Sequence, residues 1–567
     1  MTKVRDLPYK RYTLEQAQRA YSEFEAAAAC AKSADEVMEA REKYKTELRH
    51  FVTANALAYC RFTLNTKDEF YKGEMDYYDE AGPEFSAIGI KVADLMLTSP
   101  FRSELEARLN PRVYKEYEMS KKAFSPAIIE EAKRENALVT EYAKLMSEMK
   151  FEYRGEVMPL SMLRGHLSDS DRDVRRETAE AIGRGLSENS AELDRIFDEL
   201  VKVRTEMARK MGYKDYVELG YYRMQRIDYD KEMVRRFREN VAKDLVPVIS
   251  DIKRAVANEM GWESLMFYDN DTYIKGEAPN PILDTEGIFR EALSMYQDMS
   301  PETGSFMKSM LDAEAFDVES RDGKWGGGYC TAFADFKQPF ILANFNGTSD
   351  DIDVITHEFG HALADHFMFY MGDEEVGVGG METAECHSMS MEFFAYPYMQ
   401  AFCGERSEVY KLKHMLDALS FIPYGTIVDE FQHIVYENPD YTPAERNAAY
   451  RALEEKYRPY MSYEGIDYLE LGTRWQYQMH IYERPFYYID YCLAQTVALG
   501  FFIKSLSDYK AAFSEYLKFV KCGGMKPFAE LVSGAGLKSP FCEGALSELA
   551  AKIKDAEAGI RASASKI

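Results

Sequence analysis

Basic side chains are too few in this chain to favour a polyanionic partner. Of 567 residues, 70 are Lys or Arg and 96 are Asp or Glu, which gives a formal net charge of −26. The phosphates of nucleic acids and the headgroups of anionic membranes attract clusters of Lys and Arg, and an acidic chain repels them. We therefore expect neither nucleic acid nor a membrane surface among the partners of this protein.

The cysteines also lack the spacing of a disulfide framework, since no two of them stand as C-x-x-C. The N-terminal segment, MTKVRDLPYKRYTLEQAQRA, has no apolar secretion signal. The longest weakly polar stretch, Cys492 to Ile503, is too short to cross a bilayer. These absences predict reduced thiols and a soluble, cytoplasmic protein. The eight cysteines are Cys30, Cys60, Cys330, Cys386, Cys403, Cys492, Cys522 and Cys542.

Tryptophan is scarce, but other large aromatic side chains are abundant. The chain has 3 Trp against 40 Tyr and 33 Phe. Tyr can be half buried while its hydroxyl stays accessible, which suits the wall of a broad ligand groove. A chain of 567 residues also exceeds what one small core requires, so two or more lobes are expected.

Amphipathic helices are predicted for the first part of the chain. From Thr13 to about residue 200, apolar residues recur at spacings of three and four, and strong helix formers dominate. In SDSDRDVRRETAEAIG, Ser and Asp precede the periodic run, which indicates an N-capped helix start. We predict a mainly α fold with an N-terminal helical lobe over residues 1–200 and a catalytic domain over residues 201–567.

One short region has the composition of β-structure. GKWGGGYCTAFADFKQPFILANFNGTSDD, from Gly323, combines glycines, β-branched and aromatic residues, and turn residues on both sides. It predicts a hairpin or small sheet immediately before the next helix. If PFILANF forms a sheet edge, it can pair with the backbone of an extended peptide regardless of side chains. No G-K-[ST] follows Gly326–Gly328, so a structural role is favoured there over a phosphate loop.

The segment VITHEFGHALADH carries the clearest chemical motif. His357 and His361 stand four residues apart, so on a helix both imidazoles face the same side and can bind one metal ion. Glu358 follows the first histidine and can reach an attacking water without being a ligand itself. The motif therefore predicts a catalytic zinc site with Glu358 as the general base.

A third protein ligand is needed to complete such a site. The H-E-x-x-H-x-x-G-x-x-H arrangement is excluded, because Ala364 and Phe367 occupy the positions of its glycine and third histidine. The alternative is a glutamate from a second helix, and METAECHSMSMEFFAYPYM offers Glu382, Glu385 and Glu392. A position near the start of that helix favours Glu385 and leaves Glu382 open.

Four segments, in this order, resemble the thimet oligopeptidase and neurolysin family of zinc peptidases, most closely its oligoendopeptidase F branch: PFILANFNGT, VITHEFGHA, AECHSMSMEFF and HIYERPFYYIDYCLAQ. The resemblance implies that Glu385 is the third zinc ligand and that Glu392 orients a ligand histidine through its other ring nitrogen. It also implies a two-lobed helical zinc-peptidase fold, with a small sheet beside the motif helix and a deep channel that excludes folded proteins.

The last of these segments is expected to supply donors for the oxyanion. Tyr488 and Tyr491 lie three apart on one helical face, whereas Tyr487 points partly aside. In the family that the chain resembles, a histidine and tyrosines of this segment line the cleft and stabilise the tetrahedral intermediate or hold the substrate. By spacing, these residues correspond to His480, Tyr488 and Tyr491, and the register between Tyr487 and Tyr488 stays open.

The sequence thus predicts a zinc metalloendopeptidase that cuts internal bonds of short unstructured oligopeptides. One Zn²⁺ per chain would be held by His357, His361 and Glu385, while Glu358 takes the proton of the attacking water. One alternative is a peptidyl-dipeptidase with the same chemistry and a channel blocked at one end. Another is a non-catalytic helical scaffold that binds peptides around a structural metal, although a structural site has no use for Glu358.

Overall fold

Helices make up most of the computed structural model, which describes residues 1–276, 278–371 and 376–566, and the predicted mainly α fold is confirmed. The first helices are α1 Leu14–Cys30, α2 Ala34–Leu64, α3 Glu69–Leu97, α4 Arg102–Arg108, α5 Pro111–Ala123, α6 Ile129–Glu148, α7 Leu160–Gly165 and α8 Arg172–Lys210. The next are α9 Tyr216–Arg223, α10 Lys231–Asn240, α11 Val246–Met260, α12 Thr285–Met299 and α13 Pro301–Asp312. The remaining helices are α14 Asp350–Met371, α15 Met381–Phe394, α16 Met399–Cys403, α17 Ser407–Glu437, α18 Pro443–Tyr457, α19 Asp467–Glu470, α20 Met479–Glu483, α21 Tyr488–Ser507, α22 Tyr509–Cys522, α23 Phe528–Gly534 and α24 Ala545–Ala564.

Two predicted helix starts are confirmed by their caps. The Thr13 side chain accepts from the backbone N–H of Gln16, and the Gln16 side chain accepts from the N–H of Thr13, which is a capping box. At α8 the Asp171 carboxylate is a simple N-cap, which accepts from the backbone N–H of Asp173. Helix α8 continues through residue 200, so the predicted lobe boundary lies inside a helix and stays a prediction.

The N-terminal helices have apolar clusters of their own. Two small groups of buried side chains, drawn from α1 to α5 and the segment before α1, lie apart from the main core. Phe24 and Met96 belong to one cluster, and Tyr12 and Tyr78 belong to the other. The main core takes its side chains chiefly from the helices that follow, including α6 and α8.

A two-stranded hairpin that the sequence interpretation missed lies between α6 and α7. Strand β1, Phe151–Tyr153, pairs antiparallel with β2, Glu156–Met158. The two turn residues, Arg154 and Gly155, have φ values of 51° and 84°. A two-residue turn with both φ values positive matches the twist of a tight hairpin.

The predicted small sheet has three strands: β3, Phe316–Glu319, β4, Tyr329–Phe333, and β5, Gln338–Phe345. PFILANF is not a sheet edge, because β5 lies between β3 and β4, so the peptide pairing that an edge would allow does not apply to this strand. It runs parallel to β3 and antiparallel to β4. Helix α14 packs on β4 and β5, so the sheet supports the motif helix as predicted.

The helices around the motif pack closely together in the main core. Helix α15 packs on α14 and on α21, and α17 also packs on α21. Helix α21 is long and apolar enough to cross a membrane, but 67% of its most apolar window is buried inside the protein. In this fold it is a core helix that carries polar residues at its start towards the candidate site.

Candidate metal centre

Two neighbouring helices bring the motif residues together. Helix α14 carries His357, Glu358 and His361, and α15 carries Glu385. Gly360 faces the crossing of the two helices, where an added Cβ would stand 2.6 Å from backbone atoms of α15. Because a side chain at this position would force the helices apart, the glycine inside the motif permits the contact that unites the site.

The nitrogen and oxygen atoms of three side chains converge on one point. The Nε2 atoms of His357 and His361 lie 3.5 Å and 3.6 Å from Oε2 of Glu385. Four ligands at about 2.1 Å from zinc stand about 3.4 Å apart in a tetrahedron, so these separations fit a zinc site. Burial lowers the pKa of His361 to about 4, which leaves its imidazole in the neutral form that a metal binds.

The other candidate for the third ligand faces a different part of the protein. Glu382 accepts a hydrogen bond from the Tyr229 hydroxyl at 3.3 Å. Burial, together with the nearby carboxylates of Asp490 and Asp228, raises the pKa of Glu382 to about 7. The structure therefore places Glu385, and not Glu382, beside the two histidines.

A buried carboxylate holds the first histidine from behind. Nδ1 of His357 lies 2.5 Å from Oε1 of Glu392, and Nε2 of His414 lies 2.7 Å from Oε2 of the same carboxylate. Burial alone would raise the pKa of Glu392, but the contacts with His357 and His414 hold it at about 2. The ionised carboxylate fixes the ring of His357 so that Nε2 points at the site.

Glu358 is 8% exposed and has an oxygen, Oε2, without a hydrogen-bond partner among the described residues. Burial raises its pKa to about 7, and the carboxylates of Glu385 and Glu392 add to that rise. Both His357 and a backbone hydrogen bond from Cys330 of β4 oppose it. A carboxylate with one free oxygen and a pKa near neutrality can accept a proton and release it again.

The tyrosine segment approaches the site from the start of α21. Tyr487, the residue before that helix, donates its hydroxyl to Oε1 of Glu385 at 3.0 Å. The rings of Tyr487 and Tyr491 have their centroids 4.8 Å apart, so these two residues share a face of the turn. Tyr488 packs against Phe421 and Tyr424, with ring centroids 5.4 Å and 5.7 Å away.

His480 lies within this aromatic group. Its ring centroid is 4.9 Å from that of Tyr488 and 6.1 Å from that of Tyr491. Burial, together with the nearby Arg484, lowers the pKa of His480 to about 4. The neutral ring keeps Nδ1 within 2.8 Å of the Gln478 side-chain nitrogen. All three predicted late-segment residues line one cavity, of about 440 Å³, that also reaches Glu392.

Two residues of the site were missed or ranked low in the sequence interpretation. His414 comes from α17, and no motif surrounds it in KLKHMLDAL. Tyr487 was set aside in favour of its neighbours, yet its hydroxyl is the one that contacts Glu385. The run of tyrosines was the only available signal for Tyr487, and nothing local in the sequence marks His414.

The sequence matches two family descriptions. Residues 4–124 match the Peptidase M3 N-terminal domain. Residues 166–300 and 302–551 match Peptidase family M3, a region that contains His357, His361 and Glu385.

Solved structures with the same fold cover almost the whole chain. The structure of PZ peptidase A with inhibitor 2 is 41% identical with a TM-score of 0.93, over 98% of this chain and 99% of that one. A candidate oligoendopeptidase F from Bacillus anthracis str. Ames is 37% identical with a TM-score of 0.88. The match covers 99% of this chain and 98% of that one. The alignment with Oligopeptidase PepF of Bacillus subtilis (strain 168) is 25% identical over 245 residues, 42% of this chain, and spans only 36% of that protein's length.

Proposed function

This chain belongs to peptidase family M3, and we propose that it is a zinc metalloendopeptidase that cuts internal bonds of short unstructured oligopeptides. The observation that carries the proposal is the convergence of His357, His361 and Glu385 beside the free carboxylate oxygen of Glu358. Two imidazoles and one carboxylate, next to a separate base, form the donor set of a hydrolytic zinc site.

Zinc, when bound, supplies a Lewis acid that polarises the attacking water and the scissile carbonyl. Glu358 accepts the proton of the water as its oxygen attacks the carbonyl carbon, and then passes that proton to the leaving amine. Glu392 keeps His357 oriented, and Tyr487 holds the carboxylate of Glu385 through its hydroxyl. Burial of Glu358 excludes bulk water, which strengthens each of these electrostatic contacts.

His480, Tyr488 and Tyr491 are proposed to face the bound substrate from the wall of the adjoining cavity. A tyrosine hydroxyl aimed at the scissile carbonyl would donate to the oxyanion as negative charge develops there. Tyr488 remains our candidate for that donor, with Tyr491 holding the substrate. Tyr487 is proposed to orient the ligand Glu385 instead, because its hydroxyl donates a hydrogen bond to that carboxylate.

The product lengths from one defined peptide test the proposed activity. A peptide of about ten residues that binds as an extended chain should be cut at internal bonds, with fragments of several lengths seen by mass spectrometry. Release of dipeptides alone, stepwise from the C-terminus, would identify a peptidyl-dipeptidase instead. If the zinc-loaded protein leaves a panel of such peptides uncut, the result would favour the alternative of a non-catalytic, peptide-binding scaffold.

Access to the site should limit the substrates to unfolded chains. Glu358 and Glu385 are 8% and 5% exposed, so only a free extended backbone can reach them. The same sequence should be cut as a free peptide and survive inside a stable folded domain, as measured by gel and mass spectrometry. Efficient digestion of a folded, disulfide-locked protein would contradict the enclosed site.

Substitution of the tyrosines should separate two roles. Tyr488→Phe should lower kcat by about a hundredfold at unchanged zinc content, because one oxyanion donor is lost. Tyr487→Phe should weaken zinc binding by about tenfold to a hundredfold, because Glu385 loses the partner that orients it. The measurements are steady-state kinetics in excess zinc and zinc affinity against a competing chelator.

Tyr491→Phe serves as the matched comparison, since it removes a hydroxyl from the same helix turn. Its KM should rise while kcat changes less, as expected for a group that holds the substrate. If kcat in excess zinc falls for Tyr487→Phe and stays unchanged for Tyr488→Phe, the oxyanion donor is Tyr487. If none of the three variants changes, the tyrosines have no part in the mechanism.

A cytoplasmic location is also proposed. All eight cysteines are free thiols, and four of them, Cys60, Cys386, Cys403 and Cys492, are buried. Unpaired cysteines are typical of reducing compartments.

A further inference from the structure

We propose that the cavity beside the candidate metal centre is a subsite for a lysine or arginine side chain of the peptide, with Asp353 as its counter-charge. The inference rests on the proposed function and names a substrate class for it. It depends on three observations: the position of the cavity, the pairing of its carboxylates, and a buried amide in its wall that has no partner.

The cavity adjoins the residues proposed to bind zinc. It has a volume of about 440 Å³, and Glu392, which contacts His357, forms part of its lining. Tyr491 in the same wall lies against Tyr487, which contacts Glu385. A side chain close to the scissile bond can therefore enter this space. The volume is at the lower end of the range for ligand pockets and is ample for one long side chain.

Most of the wall is apolar or aromatic. Phe421, Tyr488 and Tyr491 supply rings, and Met389 and Ala418 complete the apolar surface. Such a wall suits the methylene stem of Lys or Arg, and the ring faces also attract a cation. A short or acidic side chain would leave this surface without a matching partner.

Two of the three carboxylates in the lining already have cationic partners. Glu392 contacts the proposed ligand His357 and also His414, whose pKa it raises, so His414 is its cationic partner. Asp417 is paired with Lys413, whose Nζ lies 2.8 Å from Oδ2. These groups balance one another and leave little net charge at their end of the cavity.

Asp353 is the third carboxylate, and His414 and Lys413 act on its charge only from beyond ion-pair distance. Its only hydrogen-bond donor among the described residues is the hydroxyl of Tyr410, and no cation there forms an ion pair with it. Burial raises the pKa of Asp353 to about 6, while His414 and Lys413 oppose that rise. At pH 7.5 the carboxylate is therefore mostly ionised, and one bound cation would balance it.

A buried amide in the same wall also lacks a partner. Gln495 is 5% exposed, and its Nε2 has no hydrogen bond among the described residues. An unpaired buried amide costs free energy that a polar ligand group can recover. A carbonyl oxygen of a peptide whose side chain fills the cavity would provide that partner.

The test compares peptides of one host sequence in which lysine, arginine or norleucine is placed at each position in turn. Norleucine has the same stem as lysine without the charge. With wild-type protein, kcat/KM should be at least about tenfold higher for the lysine or arginine peptides than for norleucine, because a buried charge pair is formed. The cleaved bond, located by mass spectrometry, should move with the cation at a fixed offset.

Asp353→Asn should reduce the lysine preference to within about twofold, because the amide keeps the shape and removes the charge. Asp350→Asn is the matched control: it makes the same charge change one turn away on α14, outside the cavity lining, and should keep the preference. Equal kcat/KM for lysine and norleucine with wild-type protein overturns the subsite, even if Asp353→Asn fails to fold.

A binding measurement separates this inference from the proposed activity. Zinc-loaded Glu358→Gln protein is titrated with fluorescent lysine and norleucine peptides, and Kd should be about tenfold lower for lysine. If wild-type protein cuts none of the peptides while this preference persists, the proposed activity is wrong and the subsite stands. If the peptides are cut but bind equally well, the subsite is wrong and the activity stands.

Discussion

Glu358→Gln is expected to lower kcat on the order of a thousandfold or more while one zinc per chain is retained. The amide has the shape of the carboxylate and can still accept the backbone hydrogen bond from Cys330. It cannot accept a proton, so the attacking water and the leaving amine lose the group that would move the proton between them. Because His357, His361 and Glu385 are unchanged, the metal site itself should stay intact.

The matched control for this variant is Glu382→Gln. It makes the same chemical change at a carboxylate that is also buried but contacts Tyr229. Its kcat should remain close to that of the wild type. Comparable losses in both variants, measured on one peptide with zinc content determined in each, would mean that Glu358 is not the specific base.

Glu385→Ala is expected to remove metal and activity together. Its Oε2 is 3.5 Å from Nε2 of His357 and 3.6 Å from Nε2 of His361, so alanine removes one of the three converging ligand atoms. Loss of a direct ligand should cost more than about a hundredfold in zinc affinity, since loss of an outer hydrogen-bond partner costs up to that amount. Zinc content after dialysis and peptide cleavage should fall in parallel.

Glu382→Ala provides the comparison for the third ligand. It should keep one zinc per chain and most of the activity, because its carboxylate faces Tyr229 and lies away from the histidines. Full zinc content in Glu385→Ala, with loss in Glu382→Ala, would reverse the assignment. Loss in both would point to a general disturbance of α15.

Local periodicity was sufficient to predict part of the site. The spacing of His357 and His361 places both rings on one side of any α-helix, whatever surrounds it. The choice between Glu382 and Glu385 depends on how α15 is rotated against α14, which is a property of packing. Gly360, the residue that allows that contact, looks like an ordinary helix position in the sequence.

The tyrosine segment shows why it was hard to predict which of Tyr487 and Tyr488 contacts the site. Tyr488 and Tyr491 both lie on α21, with ring centroids 5.6 Å apart, whereas Tyr487 stands in the turn between α20 and α21. Phe486 adopts a φ of 67°, a conformation that a bulky residue rarely takes. Its N–H donates to Gln432 at 3.0 Å and its carbonyl accepts from Arg226, so distant contacts hold this turn and direct Tyr487 towards Glu385.

Whether β5 lies at the edge or in the centre of the sheet could not be predicted for a similar reason. Composition identified the strand, but its neighbour β3 is parallel and comes from before the glycine-rich turn. No local pattern shows that a parallel strand will cover an apparent edge. His414 likewise reaches Glu392 from α17 by tertiary packing alone.

Titration of the metal-free protein with zinc, with peptide cleavage measured at each addition, tests the central claim most directly. The metal-free protein should be inactive, because the Lewis acid that assists attack is missing while Glu358 remains in place. Cleavage should rise in proportion to added zinc and level off at one equivalent per chain, as one set of ligands requires. Full cleavage by protein that contains no detectable metal would contradict the account.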